Sequence, residues 1–96
     1  MSPDREPVVT ASFVIRNRLG LHARAAALLV QTVTPVDADI SVSKDGQTVN
    51  GKSIMGLMML AAGKGSSIDV EARGPAADAA LRVIGELIDA KFHEGE

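Results

Sequence analysis

The hydrophobic period of the chain changes several times along its length, and this change constrains the fold more than any other feature. Apolar residues occupy every second position over residues 9–15, 38–42 and 68–72. Such alternation predicts strands that bury one face and expose the other. The dipeptide Asp45-Gly46 is typical of a hairpin turn because both residues tolerate a positive φ. Residues 47–50 are therefore expected to form a short return strand.

Between these strands the apolar period becomes helical. A first helix is predicted over residues 23–34 and ends before Pro35. A second is predicted over residues 54–62 with Ser53 as its N-cap, and a third begins with Pro75 at its first helical position. The residues expected on the buried faces of the first and third helices are Ala26, Leu29, Val30 and Val33, and Ala77, Ala80, Leu81, Ile84, Leu87 and Ile88.

These elements follow the order β-α-β-β-α-β-α. One-sided strands favour an α+β fold in which a four-stranded antiparallel sheet carries three helices on one face. The chain has 96 residues, enough for one domain with a modest core. We expect this domain to cover residues 8–92, between a flexible tail at residues 1–7 and a frayed end at residues 93–96.

The composition excludes several classes of function. There is no cysteine, which rules out disulfides and thiolate metal sites and is compatible with the reducing cytoplasm, where we expect the protein to act. A net charge of −2 and an aromatic content of 2% argue against binding to nucleic acid. No run approaches the roughly 18 apolar residues of a membrane span, so we expect no membrane insertion. The two histidines lack the paired spacing of metal ligands, and we expect neither a metal nor a cofactor.

One of the two histidines, His22, lies between Gly20 and the start of the first predicted helix, with Arg24 two residues further on. A neutral imidazole is a nucleophile near neutral pH, and a helix N-terminus beside an arginine balances the charge of a phosphoryl group. Gly20 permits the sharp turn, and Arg18 is a further cation. These features indicate a phosphoryl or anion site at His22. An ordinary helix start on the surface explains the same residues.

Residues 46–53 match G-x-x-x-x-G-K-S, the phosphate-binding loop of nucleotide hydrolases. A true P-loop follows a buried parallel strand directly, whereas Asp45-Gly46 predicts a hairpin tip and residues 47–50 a strand. The hydrolase hypothesis requires binding of a magnesium nucleotide that is lost in Lys52→Ala. We expect no such binding and interpret Gly51-Lys52-Ser53 as the start of the second helix.

The second predicted helix is apolar nearly all round and cannot bury every side chain against one face of a sheet. Leu57 and Leu60 are expected in the core. Some of the remaining apolar side chains must then face outward, namely Ile54, Met55, Met58 and Met59. Exposed Met and Ile side chains form an adaptable docking surface, and a phosphate on Ser53 would alter docking there. A regulatory protein-binding module that acts through the helix at residues 53–60 is therefore an alternative function.

Two stretches of the sequence resemble the signatures of one known family. Residues 20–24, Gly-Leu-His-Ala-Arg, are similar to the phosphorylation-site motif of HPr, the histidine-containing phosphocarrier of the bacterial phosphotransferase system. Residues 50–60 are similar to the family's second signature, around its regulatory serine, and residues 51–60 are also similar to the nitrogen-regulatory branch often called NPr. The two signatures lie at the family's usual separation, and the resemblance covers about residues 9 to 92.

The resemblance implies an open-faced β-sandwich and a carrier that is a substrate of enzymes rather than an enzyme. Phospho-enzyme I, with phosphoenolpyruvate as the ultimate donor, would phosphorylate His22 at Nδ1, and a IIA protein or domain would then receive the group. Arg24 matches the phosphate-stabilising arginine, with Arg18 and Ala23 as further support. Ser53 matches a serine that HPr kinase/phosphorylase modifies in some bacteria. The expected docking residues are Gly20, Leu21, Lys52, Ile54 and Met55.

One position departs from the family pattern. Ala25 stands where the family usually has proline. Because proline fixes φ in a first helical turn, the site is expected to be somewhat less rigid. We expect a monomer, and the branch of the family decides whether sugar transport or nitrogen and carbon control is served.

Overall fold

A computed structural model describes residues 6–94. The strands are β1 (Val8–Val14), β2 (Asp39–Lys44), β3 (Gln47–Asn50) and β4 (Ser67–Arg73), and the helices are α1 (Ala23–Val33), α2 (Ile54–Met59) and α3 (Ala77–Asp89). A single turn of 3-10 type, Lys91–His93, follows α3. Among the described residues no helix is long and apolar enough to cross a bilayer.

The four strands form one antiparallel sheet in the order β1-β4-β2-β3. In its centre Val70 of β4 pairs with Ala11 of β1 and Val42 of β2. Val70 is buried, whereas Asp69 and Glu71 on either side of it point to the exposed face. The alternation therefore leaves one face of the sheet open and covers the other with helices. The predicted α+β fold and its element order are confirmed.

The core lies between the covered face of the sheet and the helices. Burial follows the predicted helical faces, except that Val30 and Leu81 are only half-buried. In α2 only Leu57 is buried, and Leu60 caps the helix in the core. The remaining large side chains of α2 are exposed, namely Ile54, Met55, Met58 and Met59.

The hairpin between β2 and β3 is incompatible with a phosphate-binding loop at residues 46–53. Asp45 and Gly46 have φ values of 51° and 82°, as a two-residue turn of type I′ requires. The four variable positions of the P-loop match form β3, paired to β2 in the sheet. A strand held by ladder hydrogen bonds cannot wrap phosphates as a loop.

Two helix boundaries differ from prediction by more than one residue. α2 ends at Met59 rather than residue 62, because Ala61 adopts a positive φ of 50° that ends the helical path. α3 begins at Ala77, so Pro75 is not its first residue. The Ala77 N–H donates to the Gly74 carbonyl at 3.2 Å, and this turn accommodates Pro75 before the helix starts.

Only part of each predicted chain end lies within the described residues. Most of the expected flexible tail at residues 1–7 lies outside the described residues, although the Pro7 carbonyl accepts a hydrogen bond from Gly74 at 2.9 Å. Fraying is predicted from residue 93. In the structure His93 belongs to the turn Lys91–His93, and Glu94 is hydrogen-bonded to His22. Phe92 is fully buried and anchors this end. Residues 95–96 lie outside the described part.

Candidate functional site

The loop between β1 and α1 packs backbone against backbone on the segment that follows α2. The Gly20 N–H donates to the Asn17 carbonyl at 3.3 Å, and the Leu21 N–H donates to the Ala62 carbonyl at 2.9 Å. Gly20 has a φ of 68°, and a Cβ at this position would overlap the Ala62 carbonyl oxygen and lie 2.8 Å from the Gly63 Cα. Both the left-handed φ and the close approach require glycine.

This loop delivers His22 to the N-terminus of α1, where it is the N-cap residue. Its φ and ψ are −74° and −179°, and its Nδ1 accepts a hydrogen bond from the Arg24 N–H at 3.3 Å. On the opposite side of the ring, Nε2 lies 2.7 Å from Oε1 of Glu94. A carboxylate can only accept, so we assign the proton of the neutral ring to Nε2 and the lone pair to Nδ1. The side chain is 27% exposed and therefore accessible.

The turn after α3 reaches across to the same site. Lys91, Phe92 and His93 have φ values of 54°, 53° and 59°, and this left-handed conformation is unfavourable for residues other than glycine. The buried ring of Phe92 holds the turn in place. The guanidinium of Arg24 donates to the Phe92 carbonyl at 2.8 Å and ties the turn to α1.

Glu94 completes the site from this turn. Its Oε1 accepts a hydrogen bond from Nδ2 of Asn17 at 2.8 Å as well as contacting His22. Burial alone raises the pKa of the Glu94 carboxyl, but hydrogen bonds from Asn17, His22 and the Leu19 backbone outweigh burial and lower the pKa below its usual value. The carboxyl is therefore ionised at neutral pH.

The predicted phosphoryl-site residues come together at the start of α1. Ala23 is the first residue of the helix, and Arg24 follows it beside His22. Arg18 is exposed in the turn before Gly20 and is already engaged in an interaction. The first backbone N–H groups of an α-helix have no partner within the helix, so this end is suited to an anion.

Two of the predicted docking residues are not available to a partner. Leu21 is only 4% exposed and belongs to the core, and Gly20 is buried against the Ala62 backbone. Both were predicted from their place in the motif, but their burial leaves a partner almost no side-chain surface to contact. The exposed apolar residue of this loop is Leu19.

The second helix lies beside α1, with its C-terminal end toward the histidine. A shallow depression of about 260 Å³ separates the two and is lined by Leu19, Leu21, His22, Ala61, Ala62 and Gly63. Ser53 caps the opposite end of α2, where its Oγ accepts from the Gly56 N–H at 3.0 Å. The length of α2 therefore places Ser53 on the order of 10 Å from the histidine end.

Lys52 lies just before α2, and the exposed apolar side chains of that helix follow it. The Lys52 ammonium donates to the Val36 carbonyl at 3.0 Å, which fixes its position after α1. Met55 and Met59 are 71% and 64% exposed. Within residues 6–94 no three His, Asp or Glu side chains come close enough to hold a metal ion.

Comparison with known proteins decides the family. The model of the family described as "PTS HPr component phosphorylation site" matches residues 9–90. The phosphocarrier protein HPr of Neisseria meningitidis is 48% identical over 85 residues, covering 88% of this chain and 96% of that protein. The chain belongs to the HPr family.

Solved HPr structures agree in fold. The crystal structure of HPr from Thermoanaerobacter tengcongensis matches with a TM-score of 0.87 and 40% identity, covering 92% of this chain and 99% of that one. HPr from Bacillus anthracis matches with a TM-score of 0.81 and 43% identity, covering 84% of this chain and 96% of that one.

In this HPr-family chain, Ala25 is the third residue of α1 and is fully buried.

Three residues of the site were not predicted from the sequence. Asn17 has a local signal, since Asn and Gly at the first and fourth positions are typical of a β-turn. Phe92 is the second of only two phenylalanines and could have been expected in the core. Glu94 has no such signal, because 72 residues separate it from His22.

Proposed function

We propose that this HPr-family chain is a phosphoryl carrier, which takes a phosphoryl group from phospho-enzyme I on Nδ1 of His22 and passes it to a IIA protein or domain. The observation that supports this proposal is the placement of Nδ1. The nitrogen lies at the N-terminus of an 11-residue helix, within hydrogen-bond distance of the Arg24 backbone N–H, on an accessible side chain.

The transfer is an in-line exchange between two histidines. The hydrogen bond from the Arg24 N–H to Nδ1 opens, and the freed Nδ1 lone pair of His22 attacks phosphorus. The bond from phosphorus to the donor nitrogen breaks, and the donor ring keeps that electron pair. Catalysis of this exchange requires positioning and charge balance rather than a new covalent partner. The chain supplies an oriented acceptor and is consumed and regenerated as a substrate of its partner enzymes.

The start of α1 balances the charge of the transferred group. The Ala23 N–H, and the Arg24 N–H once Nδ1 is bonded to phosphorus, can donate to the phosphoryl oxygens. The Arg24 guanidinium has five N–H donors, and the bond to Phe92 leaves others for the phosphoryl group. A partly exposed site of this kind binds the phosphoryl group but still allows its onward transfer, as a carrier requires.

Phosphorylation with purified enzyme I and phosphoenolpyruvate tests this function. We expect one phosphoryl group per chain, labile in acid and stable in base, with a ³¹P resonance typical of a histidine phosphorylated on Nδ1. Tandem mass spectrometry is expected to localise it to His22. Phosphate on His93 alone, or none at all, would contradict the proposal.

The exposed face of α2 is the surface that we propose for docking of enzyme I and IIA proteins, together with Leu19 and Lys52. Met55→Glu places a charge in the middle of this apolar surface, and we expect transfer from enzyme I to slow at least about tenfold. Stability should change by less than about 0.5 kcal/mol because the side chain is exposed. Transfer rates and urea unfolding measure the two effects.

Val14→Glu is the matched control for this variant. Val14 is a similarly exposed apolar residue, but it lies on the open face of the sheet. An equal loss of transfer in both variants would show that charge anywhere on the chain, rather than the α2 surface, reduces the rate.

We also propose Ser53 as a site of regulatory phosphorylation by a kinase such as HPr kinase/phosphorylase. Ser53→Ala removes the capping oxygen of α2 and should cost about 1 kcal/mol of unfolding free energy with little change in transfer. Ser53→Asp keeps a capping oxygen but adds charge at the docking surface. It should retain stability and slow transfer. Loss of transfer in Ser53→Ala alone would assign the serine a purely structural role.

A further inference from the structure

Glu94 has no part in the transfer described above, yet its Oε1 lies 2.7 Å from Nε2, the ring nitrogen opposite the acceptor. From this contact we infer that Glu94 is a positioning residue of the phosphoryl acceptor. It holds the proton on Nε2, directs the Nδ1 lone pair to the start of α1, and stabilises the positive ring that the transfer creates. This inference rests on the proposed function.

The chemistry follows from the proton count. The neutral ring of His22 carries one N–H, and an ionised carboxylate at Nε2 stabilises the tautomer with the proton there. When Nδ1 forms its bond to phosphorus and the donor nitrogen departs with the electron pair, His22 keeps the Nε2 proton. The ring then carries one positive charge. Glu94 is in contact with the ring before the positive charge forms, so no rearrangement is needed to stabilise that charge.

A buried amide fixes the carboxylate. Nδ2 of Asn17 donates to the Gly20 carbonyl and to Oε1 of Glu94, both at 2.8 Å. Asn17 is fully buried, and its Oδ1 has no hydrogen-bond partner among residues 6–94. An unpaired buried oxygen costs stability. The amide nevertheless fixes the orientation of the Glu94 carboxylate, because it joins the glycine turn, the carboxylate and the histidine in one chain of hydrogen bonds.

The backbone that carries Glu94 is also held in a costly conformation. Three consecutive residues other than glycine, Lys91–His93, have a positive φ, and such strain persists only where surrounding contacts fix it. Here the buried Phe92 ring and the Arg24 bond to the Phe92 carbonyl provide those contacts. The same turn thus carries both the carbonyl that binds the Arg24 guanidinium and the carboxylate that contacts the imidazole.

Burial separates this role from docking. The Glu94 side chain is only 10% exposed, so it can act on the ring but offers almost no surface to a partner. Its removal should therefore lower kcat for phosphorylation by enzyme I and leave KM for the carrier nearly unchanged. A docking residue would show the opposite pattern.

The test compares Glu94→Ala and Glu94→Gln with the parent chain, with Glu71→Gln on the open sheet face as the matched control. ¹⁵N-labelled histidine and NMR at about pH 8.5, above the ordinary pKa of imidazole, report the ring. In the parent chain we expect the Nε2–H of His22 as a downfield signal protected from exchange. Glu94→Ala should lose this signal and show kcat lowered about tenfold. Glu94→Gln retains an accepting oxygen, so it should keep the signal but still lose rate because the negative charge is gone.

Each outcome separates the possibilities. An unchanged kcat and an unchanged Nε2–H signal in Glu94→Ala would overturn the inference while leaving His22 phosphorylation intact. A faster transfer would also overturn it, because the carboxylate would then only obstruct the ring. Glu94→Gln is nearly isosteric and guards against loss of folding in Glu94→Ala. Failure of the parent chain to take phosphate would instead refute the proposed function, and the NMR result would stand independently.

Discussion

Replacement of His22 by Asn is expected to abolish phosphorylation by enzyme I and phosphoenolpyruvate. Asn has no nucleophilic nitrogen, but it is among the best N-cap residues, so α1 should remain capped. His22→Ala should lose the same activity and in addition about 1 kcal/mol of unfolding free energy, because the cap bond to the Arg24 N–H disappears. Incorporation of labelled phosphate and urea unfolding measure the two effects.

His93→Asn is the matched control for the loss of activity. His93 is the only other histidine, is exposed, and has a φ of 59°, a conformation that Asn tolerates. We expect full phosphate incorporation in this variant. Residual acid-labile phosphate in His22→Asn that disappears in the double variant would instead place the acceptor at His93.

Gly20→Ala is expected to destabilise the chain by about 2–4 kcal/mol, because it combines two penalties at one position. The φ of 68° disfavours any Cβ, and this Cβ would in addition overlap the Ala62 backbone. Neither partner is a flexible side chain that can move aside. The loop must therefore separate from the segment after α2, and the position of His22 changes with it. Urea unfolding gives the free energy, and initial transfer rates report the site.

Gly46→Ala isolates the conformational part of this penalty. Gly46 also has a positive φ, but a Cβ there would meet no atom within 4 Å. This variant should lose only about 1–2 kcal/mol and retain its transfer rate. An equal loss in both variants would mean that the contact with Ala62 contributes nothing beyond backbone conformation.

Much of the fold was predictable because its signals are local. Alternation over residues 9–15, 38–42 and 68–72 marks strands whose two faces differ, and the structure buries one face of β2 and β4 and half-buries one face of β1. The Asp45-Gly46 turn and the Ser53 cap depend on residues a few positions apart. The end of α2 was missed because Ala61 adopts a left-handed conformation that its sequence does not favour.

The site was predictable only on the side that belongs to one segment. His22 and Arg24 lie two residues apart, so their pairing with a helix start follows from sequence. The burial of Leu21 depends on tertiary packing, and the loop motif alone suggested exposure. Glu94 and Phe92 reach the site through a strained turn for which no propensity exists. Polar residues near a chain end are typical of a solvated tail, and only knowledge of their distant partners indicates otherwise.

The contacts of residues 92–94 also bear on when the acceptor comes into being. Arg24 is bonded to a residue 68 positions later in the chain, His22 to one 72 positions later, and Asn17 to one 77 positions later. A nascent or truncated chain that stops before Phe92 contains the glycine turn, the histidine and the helix, but it lacks the carbonyl and the carboxylate that meet Arg24 and His22. These contacts with Arg24 and His22 therefore form only after the sheet and all three helices have been made.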